Sequence, residues 1–287
     1  MLPGFDLLMP RSLPEALEML AGAAPDVLPL AGGTNLVPDM RGGKSKASTL
    51  VNVGGLDELR GIQRENGHVV VGSGVTIAAL LSSDIIAEDA PVLRQAAEVF
   101  ANPLVRNRAT LGGNLGNASP AADTAPPLLV LEAEVELKKS DGSRWVPLRD
   151  FFVHVCDTVC EPAELITAVR WSVPGPRTFG RFRKLSLRKS TAVSVVSVAV
   201  QLTFDDVGRC EDARIALGAV APTPVRAYHA EVILRGEALT PKVIEEAAHV
   251  GCSAASCMGD VRGSAGYREH VTDVLLRRSL QEIGSRE

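Results

Sequence analysis

Short apolar runs separated by turn signals characterise the first part of the chain. Ser12 and Glu15 form a capping-box pattern before an apolar stripe, which predicts a helix through Leu20 that ends at Gly22. The apolar and polar positions that follow predict three further short elements: strands at 27–30 and 49–53, and a helical turn at 36–40. Together these elements form a small unit of helix and strands.

Two β-hairpins are predicted farther along, because an Asn-Gly or Asp-Gly pair stands between apolar strands. Asn66-Gly67 lies at the centre of the first hairpin, over 62–71, and Asp141-Gly142 connects the two strands of the second. Helical patterns fill the region between the hairpins: 77–81 behind a Thr76 cap, 91–100, and a helix that starts at Pro126-Pro127.

A domain boundary is expected at Pro174-Gly175-Pro176, directly after a predicted strand at 165–173. Beyond it the pattern becomes strongly β, with valines alternating with serines from Val193 onward. The elements predicted there are strands 179–186, 193–204 and 213–220, followed by helices 225–234, 241–257 and 269–283. Strands followed by packed helices indicate an α+β arrangement.

The composition and charge are those of an ordinary globular chain. Of its 287 residues, 46% are hydrophobic and 22% are charged, and the formal net charge of −4 gives no overall attraction to nucleic acid or an anionic membrane. This length accommodates about two domains. No apolar run reaches the ~20 residues of a bilayer span. The first residues lack the basic and apolar regions of a secretory signal, so we expect a cytoplasmic protein.

The cysteine spacing favours ordinary thiols over a metal site. Three residues separate Cys156 from Cys160, with His154 nearby, and four residues separate Cys252 from Cys257. Neither spacing matches the usual zinc or iron–sulfur patterns. We therefore predict no metal site in this chain.

Two glycine pairs carry the candidate chemistry. Ala31-Gly32-Gly33-Thr34-Asn35 and Thr110-Leu111-Gly112-Gly113-Asn114 each combine two glycines with a threonine and an asparagine. Adjacent glycines permit positive φ and a close backbone approach to a ligand, and successive inward N–H groups form an anion site. A single Gly-Gly pair is usually only a turn. Two copies with the same neighbours favour one pyrophosphate held between both segments.

A third glycine motif, Gly72-Ser73-Gly74, follows a strand and precedes a helix, as in dinucleotide-binding folds. However, Ile77 occupies the position of the third glycine, and the preceding strand is an arm of a hairpin rather than part of a βαβ unit. The motif therefore favours a tight turn in which Thr76 caps the following helix.

Several motifs together resemble the FAD-binding medium subunit of the molybdenum hydroxylase family, which includes xanthine dehydrogenase and carbon monoxide dehydrogenase. The two glycine segments are similar to the two FAD loops of that family, and 117–123 is similar to the continuation of the second loop into an acid. Three later segments also resemble family markers: the aromatic-x-lysine segment 179–188, and the C-terminal segments 218–224 and 262–268. The resemblance covers nearly the whole chain.

This resemblance implies an α+β fold with two domains. Residues 1–176 are expected to form a two-lobed FAD-binding domain of the vanillyl-alcohol-oxidase (PCMH) type, with lobes spanning about 1–57 and 58–176. Residues 177–287 are expected to form a C-terminal flavoprotein domain, an antiparallel sheet with helices.

The resemblance also implies FAD as the cofactor, and its contacts. We expect non-covalent binding, because neither glycine segment contains a cysteine or histidine for attachment. The glycine segments would hold the pyrophosphate through backbone N–H groups, and Asp123 would accept hydrogen bonds from FAD hydroxyls. The predicted cofactor-binding residues are Leu30, Ala31, Gly32, Gly33, Thr34, Asn35, Leu36, Phe100, Thr110, Leu111, Gly112, Gly113, Asn114, Asp123, Ile166 and Lys184.

Three of these residues have an ordinary structural interpretation as well. Asp123 is also interpretable as an acid of a surface loop, and Phe100 as a core residue at a helix end. Lys184, expected near the flavin, is otherwise one cation of a solvated basic strand that includes Arg181 and Arg183.

The chain departs from the family pattern just after this basic strand. Ser190-Thr191-Ala192 stand where the family often has an acid, sometimes followed by an aromatic residue. The environment of the flavin edge and the electron acceptor (NAD, a quinone, a cytochrome or oxygen) therefore stay open. A cysteine-bearing insertion of the hydroxybenzoyl-CoA reductase branch is missing, so we expect no iron–sulfur cluster in this chain.

The implied function is electron transfer in a multisubunit oxidoreductase, with no catalytic residue in this chain. A large subunit with the molybdenum cofactor would oxidise the substrate, and a small [2Fe-2S] subunit would relay electrons to the FAD, with a dimer of heterotrimers as the expected assembly. The basic segment 177–189 is the candidate docking surface. One alternative is a stand-alone FAD-dependent oxidase of the same fold. Another is a nucleic-acid or partner surface at 177–189, although the net acidity argues against nucleic acid.

Overall fold

The N-terminal lobe of the computed structural model is built on a parallel sheet with the strand order β1-β3-β2. The structure describes residues 2–188, 192–257 and 259–285. Ser12 caps the first helix by accepting a hydrogen bond from the N–H of Glu15, as the capping-box pattern predicts. The elements of this lobe are β1 Asp6–Leu8, α1 Leu13–Gly22, β2 Val27–Leu30, α2 Leu36–Arg41 and β3 Thr49–Asn52, followed by a 3₁₀ turn at Asp57–Leu59.

The second lobe combines an antiparallel sheet with a layer of short helices. Asn66 and Gly67 have φ of 50° and 78° at the tip of the first hairpin, which confirms the predicted Asn-Gly turn. The elements in chain order are β4 Ile62–Glu65, β5 His68–Gly72, α3 Ile77–Ser82, α4 Asp84–Asp89, α5 Pro91–Glu98, α6 Pro103–Arg106, α7 Leu111–Gly116, α8 Ala125–Val130, β6 Glu134–Lys139, β7 Gly142–Pro147, β8 Phe152–His154, β9 Asp157–Thr158 and β10 Leu165–Ser172.

The strand that ends this lobe in sequence is central in space. The sheet order is β4-β5-β10-β6-β7, so β10 joins the two predicted hairpins. Its first three residues are buried in succession, so the start of the strand is covered on both faces. Beyond them the buried Val169 and Trp171 alternate with half-buried residues, as expected where one face is covered.

The C-terminal domain is an antiparallel sheet covered by helices. The strand order is β11-β12-β13-β14, and β12 is almost fully buried along its length. The elements are β11 Thr178–Ser186, β12 Ser194–Phe204, β13 Cys210–Gly218, β14 Val225–Arg226, α9 Tyr228–Leu234, α10 Pro241–Gly251 and α11 Ala265–Gly284, with a 3₁₀ turn at Cys252–Ala254. These lobes and this domain confirm the predicted α+β class.

Several element boundaries differ from the sequence prediction. The helix predicted over 225–234 begins only at Tyr228, because Val225 and Arg226 pair with β13 and extend the sheet. The last helix begins earlier than predicted, since Ser264 caps it by accepting from the N–H of Tyr267. The elements that the pattern missed are short: β1, α4, α6, α7, β8 and β9.

The C-terminal sheet packs closely on the second lobe. A Cβ on Gly180 of β11 would lie 2.9 Å from the Cβ of Val92 in α5, and the N–H of Phe182 donates to Gln95 Oε1 at 2.8 Å. Phe182 is part of the hydrophobic core of the second lobe. Because this core crosses the expected boundary, the division at 176 stays a prediction. Within the described ranges, no helix has both the length and the apolar character needed to cross a membrane.

Candidate functional site

A cavity of about 830 Å³ is lined by both N-terminal lobes and reaches the C-terminal domain at Ala192 and Val193. Its volume lies within the range of ~300–1,000 Å³ that is typical of cofactor and small-molecule sites. Most of the predicted site residues line it: Leu30, Ala31, Gly32, Gly33, Thr34, Asn35, Leu36, Phe100, Thr110, Gly112, Gly113, Asn114, Asp123 and Ile166. Leu111 and Lys184 are not among the residues that line the cavity.

The first glycine segment, 31–35, presents unpaired backbone donors at the cavity. Among the described residues, the N–H groups of Gly32, Gly33, Thr34 and Asn35 have no hydrogen-bond acceptor. Gly33 has a φ of +69°, in the left-handed region that glycine adopts readily. Gly32, Gly33 and Thr34 are half-buried and Asn35 is exposed, so these N–H groups are accessible to a ligand. The segment therefore offers donors to an anionic ligand and contains no lysine or arginine.

Close packing fixes the position of this segment against the second lobe. A Cβ on Gly32 would lie 2.0 Å from the carbonyl oxygen of Arg108 and 3.1 Å from the Cα of Ala109. Both are backbone atoms, which cannot turn aside as the end of a side chain can. Glycine at position 32 therefore allows 31–35 to approach the residues just before the second glycine segment.

The second glycine segment, 110–114, begins a helix, and the N–H groups of its last four residues are used within the protein. The N–H of Thr110 has no acceptor among the described residues. Thr110 caps α7, and its hydroxyl accepts from the N–H of Gly113 at 3.1 Å. Three further N–H groups of the segment donate to backbone carbonyls: Leu111 to Val75 at 2.9 Å, Gly112 to Ser73 at 2.8 Å and Asn114 to Thr110 at 2.9 Å. Free N–H groups therefore form a row at 32–35, whereas in 110–114 the N–H of Thr110 alone is free among the described residues.

The glycines of the second segment serve close packing rather than an unusual backbone conformation. Neither Gly112 nor Gly113 has a positive φ. A Cβ on Gly112 would lie 2.5 Å from the Cβ of Ser73, and a Cβ on Gly113 would lie 2.8 Å from Thr110 Oγ1. Gly112 therefore allows the start of α7 to pack against the turn that follows β5, and Gly113 leaves room for the capping hydroxyl of Thr110.

Side chains of the second segment remain available to the cavity. Asn114 Oδ1 accepts a hydrogen bond from the hydroxyl of Thr124 at 2.6 Å, and among the described residues the amide NH₂ group has no acceptor. The Thr110 hydroxyl accepts from Gly113 and keeps its own proton to donate. The second segment thus offers side-chain donors and the single N–H of Thr110, where the first offers a row of backbone donors.

The motif Gly72-Ser73-Gly74 is a turn, as the sequence favours. A Cβ on Gly72 would lie 2.3 Å from the carbonyl oxygen of Leu59, so this glycine allows two backbones to meet. Thr76 caps α3 by accepting from the N–H of Ala79 at 3.1 Å. Ser73 and Gly74 also line the cavity, which the turn interpretation did not anticipate.

Three predicted site residues are apolar and belong to the core of the second lobe. Phe100 and Ile166 are 9% and 7% exposed and line the cavity, so Phe100 is a core residue and a wall residue at once. Leu111 is completely buried in the same core. Leu111 therefore supports the wall from behind, while Phe100 and Ile166 form part of its surface.

Asp123 lies in the cavity wall as half of a buried ion pair. Lys184 Nζ is 2.6 Å from Asp123 Oδ2, and the hydroxyl of Ser194 donates to Oδ1 at 2.6 Å. The side chains of Lys184 and Asp123 are only 4% and 7% exposed, so the interpretations as a solvated cation and a surface acid are wrong. Burial raises the pKa of Asp123, while the Lys184 ammonium and the Ser194 hydroxyl act in the opposite direction.

The basic segment 177–189 is largely neutralised by acids of the same chain. Several of its cations have a carboxylate partner: Arg177 with Asp206, Arg181 and Arg183 with Glu282, and Lys184 with Asp123. Lys189 and the departures from the family pattern at Ser190 and Thr191 lie outside the described residues. These pairings weaken the case for an open band of positive charge as a docking surface.

The segment 160–165 forms a further wall of the cavity that sequence reasoning missed. The Glu164 carboxylate holds it, because it accepts two hydrogen bonds from Arg144, at 2.8 and 2.9 Å, and one from the N–H of Glu161 at 2.8 Å. The bond from Arg144 is the main reason why the pKa of Glu164 lies below its usual value. An ion pair between residues so far apart in sequence leaves no local motif to recognise.

Two family models match the chain. The model described as the FAD binding domain in molybdopterin dehydrogenase matches residues 3–174, and the model of the CO dehydrogenase flavoprotein C-terminal domain matches residues 181–283. Both glycine segments fall within the first match, and Lys184 falls within the second.

Several proteins are similar over nearly their full length. The chain is 34% identical to the carbon monoxide dehydrogenase medium chain of Afipia carboxidovorans, covering 100% of this chain and 99% of the relative. It is 32% identical to the nicotine 6-hydroxylase medium subunit of Paenarthrobacter nicotinovorans, with 99% of each covered. It is 29% identical to the xanthine dehydrogenase FAD-binding subunit of Escherichia coli O157:H7, with 94% and 93% covered.

Solved structures show the same architecture. A chain of the cyanide-inactivated Cu,Mo-CO dehydrogenase superposes with a TM-score of 0.96 at 34% identity, and 100% of both chains is covered. A chain of quinoline 2-oxidoreductase from Pseudomonas putida 86 superposes with a TM-score of 0.93 at 29% identity, with 99% and 98% covered. The arrangement of the lobes and the C-terminal domain is therefore shared with both enzymes.

Proposed function

We propose, from the premise that this chain belongs to the FAD-binding medium subunits of the molybdenum hydroxylase family, that it transfers electrons within a multisubunit oxidoreductase. A large subunit with the molybdenum cofactor oxidises the substrate, and a small subunit carries the [2Fe-2S] clusters. This chain takes up the electrons that the clusters deliver and passes them to an external acceptor. Relatives named as a medium chain and a medium subunit support such an assembly, for which we propose a dimer of heterotrimers.

The row of unpaired N–H groups at 32–35 carries this proposal. A pyrophosphate is an anion rich in acceptor oxygens, and backbone N–H groups bind such anions without charged side chains. We assign the pyrophosphate of FAD to this segment, with the side chains of Thr110 and Asn114 as additional donors. The flavin supplies the redox chemistry, and the chain fixes the position of the flavin and the polarity of its surroundings.

The remaining cavity residues divide into an apolar part and a polar part. Phe100 and Ile166 offer apolar surface to a ring system. Asp123 offers acceptor capacity to cofactor hydroxyl groups, because a carboxylate has more lone pairs than its bonds to Lys184 and Ser194 use. Lys184 acts through Asp123, since it contacts that carboxylate without lining the cavity.

Non-covalent attachment of the cofactor follows from the groups at the cavity. No histidine of the described residues lines it, and its one lining cysteine is Cys160. Burial raises the pKa of the Cys160 thiol, which keeps it in the unreactive protonated form. Acid precipitation of the purified chain is therefore expected to release all of its flavin as FAD, and flavin retained in the pellet would contradict this assignment.

The test of the electron-transfer role compares the isolated chain with its native complex. We expect an affinity-tagged chain purified from its own host to bring down two unrelated subunits, together with molybdenum and iron. Under anaerobic conditions, heteroaromatic and aldehyde substrates are offered to both preparations while the flavin absorbance is followed. We expect a substrate of the complex to bleach the flavin there and to leave the isolated chain oxidised, because the electrons need the partner subunits.

Two results would contradict the proposal. Bleaching of the isolated chain by any of these substrates would establish a stand-alone FAD oxidase of the same fold. A native preparation without iron, molybdenum or partner subunits would remove the proposed source of electrons. Dithionite serves as the control in both preparations, since it reduces any accessible flavin directly.

A further inference from the structure

Two family-like segments, 218–224 and 262–268, do not line the cavity. Arg268, at the end of the second of these segments, is only 4% exposed, although it carries a charge. Its guanidinium donates to the carbonyl of Val195 at 3.0 Å and to the carbonyl of Ala219 at 2.5 Å, and it pairs with Asp260 at 2.6 Å. A buried charge is costly unless it is paired and hydrogen-bonded, and these three partners compensate for most of that cost. Nε of Arg268 is buried and has no hydrogen-bond partner among the described residues, so part of the cost remains.

The two carbonyls held by Arg268 belong to the chain segments that support Asp123. Val195 follows Ser194, whose hydroxyl donates to Asp123 Oδ1 at 2.6 Å. Ala219 donates its N–H to the carbonyl of Pro120 at 2.8 Å, three residues before Asp123. Arg268 is therefore linked to Asp123 by two routes. One runs through Val195 to the neighbouring Ser194, which donates to the carboxylate, and the other runs through Ala219 to Pro120, in the backbone just before Asp123.

The backbone at Ala219 shows that this connection is under constraint. Ala219 has a φ of +62°, which is uncommon for a residue with a Cβ and costs on the order of 1 kcal/mol. Its N–H is fixed by Pro120 and its C=O by Arg268, so both sides of the residue are held. A Cβ on the preceding Gly218 would lie 2.9 Å from Pro126 Cγ, so this turn also packs tightly on the start of α8.

We propose that Arg268 is a positioning residue for the FAD site, which fixes the Asp123 carboxylate from the C-terminal domain through Ser194 and Ala219. The inference rests on the proposed FAD site, because Asp123 matters to it only as a ligand of that cofactor. It assigns a shared role to the segments 218–224 and 262–268: together they hold the Asp123 carboxylate in one orientation.

The experiment measures FAD affinity of the full chain after removal of the flavin, by titration with FAD and fluorescence detection. Arg268→Gln is expected to weaken binding by about tenfold, since the interaction between coupled neighbouring groups corresponds to roughly twofold to a hundredfold in affinity. Arg268→Lys, which keeps the charge and part of the bonding, is expected to recover part of the loss. The matched control is Arg262→Gln, because Arg262 lies in the same segment and pairs with the same Asp260 but is 37% exposed at its side chain.

A double-mutant cycle separates positioning from general destabilisation. In the Asp123→Asn background, Arg268→Gln is expected to change FAD affinity by less than about twofold, because the carboxylate it positions is gone. The same tenfold loss in both backgrounds would overturn the proposal, because it would mean that Arg268 only maintains the fold. Equal losses for Arg268→Gln and Arg262→Gln would overturn it as well.

Ser194→Ala tests the same route without removing a buried charge. We expect it to weaken FAD binding in the wild-type background and not in the Asp123→Asn background, and unchanged affinity would contradict the route through Ser194. If the unaltered chain bound no FAD, the proposed function itself would fail. FAD binding that is normal and insensitive to Arg268→Gln and Ser194→Ala would refute only the positioning role.

Discussion

The glycine segments 31–35 and 110–114 have nearly the same composition but differ in where their backbone N–H groups point. In the first segment, four successive N–H groups have no acceptor among the described residues. In the second, the N–H groups from Leu111 to Asn114 all donate to protein acceptors, because Thr110 starts a helix there. The first segment is open to a ligand through a row of backbone N–H groups, and the second through its side chains and the single N–H of Thr110.

This difference teaches that a glycine pair can be required for three separate physical reasons. Gly33 provides a left-handed backbone conformation, with a φ of +69°. Gly32 and Gly112 provide close contact with other parts of the chain, where a Cβ would collide with Arg108 or Ser73. Gly113 provides room beside the Thr110 hydroxyl that caps the helix. Only the first reason concerns backbone shape.

The largest expected effect is on the free energy of unfolding and tests the close packing that both glycine segments share. Gly32→Ala and Gly112→Ala are each expected to lower the free energy of unfolding of the flavin-free chain by about 3 kcal/mol, because the new Cβ meets atoms that cannot move aside. Urea denaturation measures this. Gly55→Ala is the control, since nothing lies within 4 Å of its Cβ position. A tolerated Gly112→Ala would show that the second segment is not closely packed.

The next effect compares the first segment with a glycine outside both segments, and the quantity compared is FAD affinity. Gly33 and Gly43 both have a left-handed φ, +69° and +73°, but only Gly33 lines the cavity. Alanine at either position is expected to cost about 1 kcal/mol of stability through backbone strain. Only Gly33→Ala is expected to weaken FAD binding, by about tenfold, because it redirects the neighbouring N–H groups. Equal losses of FAD affinity would mean that general strain, rather than a phosphate site, explains Gly33.

The smallest effect compares the two threonines. Thr110→Val removes the acceptor of the Gly113 N–H, and the loss of this helix cap is expected to cost about 1 kcal/mol of stability. Thr34→Val is expected to leave the stability of the flavin-free chain unchanged, since the Thr34 hydroxyl has no partner among the described residues. Thermal unfolding of both variants without flavin checks this. A larger loss of stability for Thr34→Val than for Thr110→Val would contradict this assignment, in which only the Thr110 hydroxyl stabilises the flavin-free fold.

Local chemistry made much of the fold predictable from the sequence. The cap at Ser12 and the turn at Asn66-Gly67 depend on neighbouring residues only, and both are confirmed. The strand at Val225–Arg226 was mistaken for the start of a helix, because its pairing with β13 is a tertiary contact. The central place of β10 in its sheet also depends on contacts distant in sequence.

The site was predictable where a motif exists and not where long-range pairing creates it. The resemblance placed both glycine segments, Phe100 and Asp123 at one cavity, and the structure brings them together there. The buried pairing of Asp123 with Lys184 joins two domains, so no local pattern shows it. The wall at 160–165 depends on the bond from Arg144 to Glu164, which likewise has no sequence signature.

Hydrogen exchange of the backbone amides, with and without FAD, tests the central claim most directly. In the flavin-free chain, the amides of Gly32 to Asn35 are expected to exchange rapidly and those of Leu111 to Asn114 slowly, because only the latter have acceptors. FAD is expected to slow the first group strongly and to change the second group little. Strong protection of the first group before FAD is added, or a larger effect of FAD on the second group, would contradict the assignment of the backbone donors to 31–35.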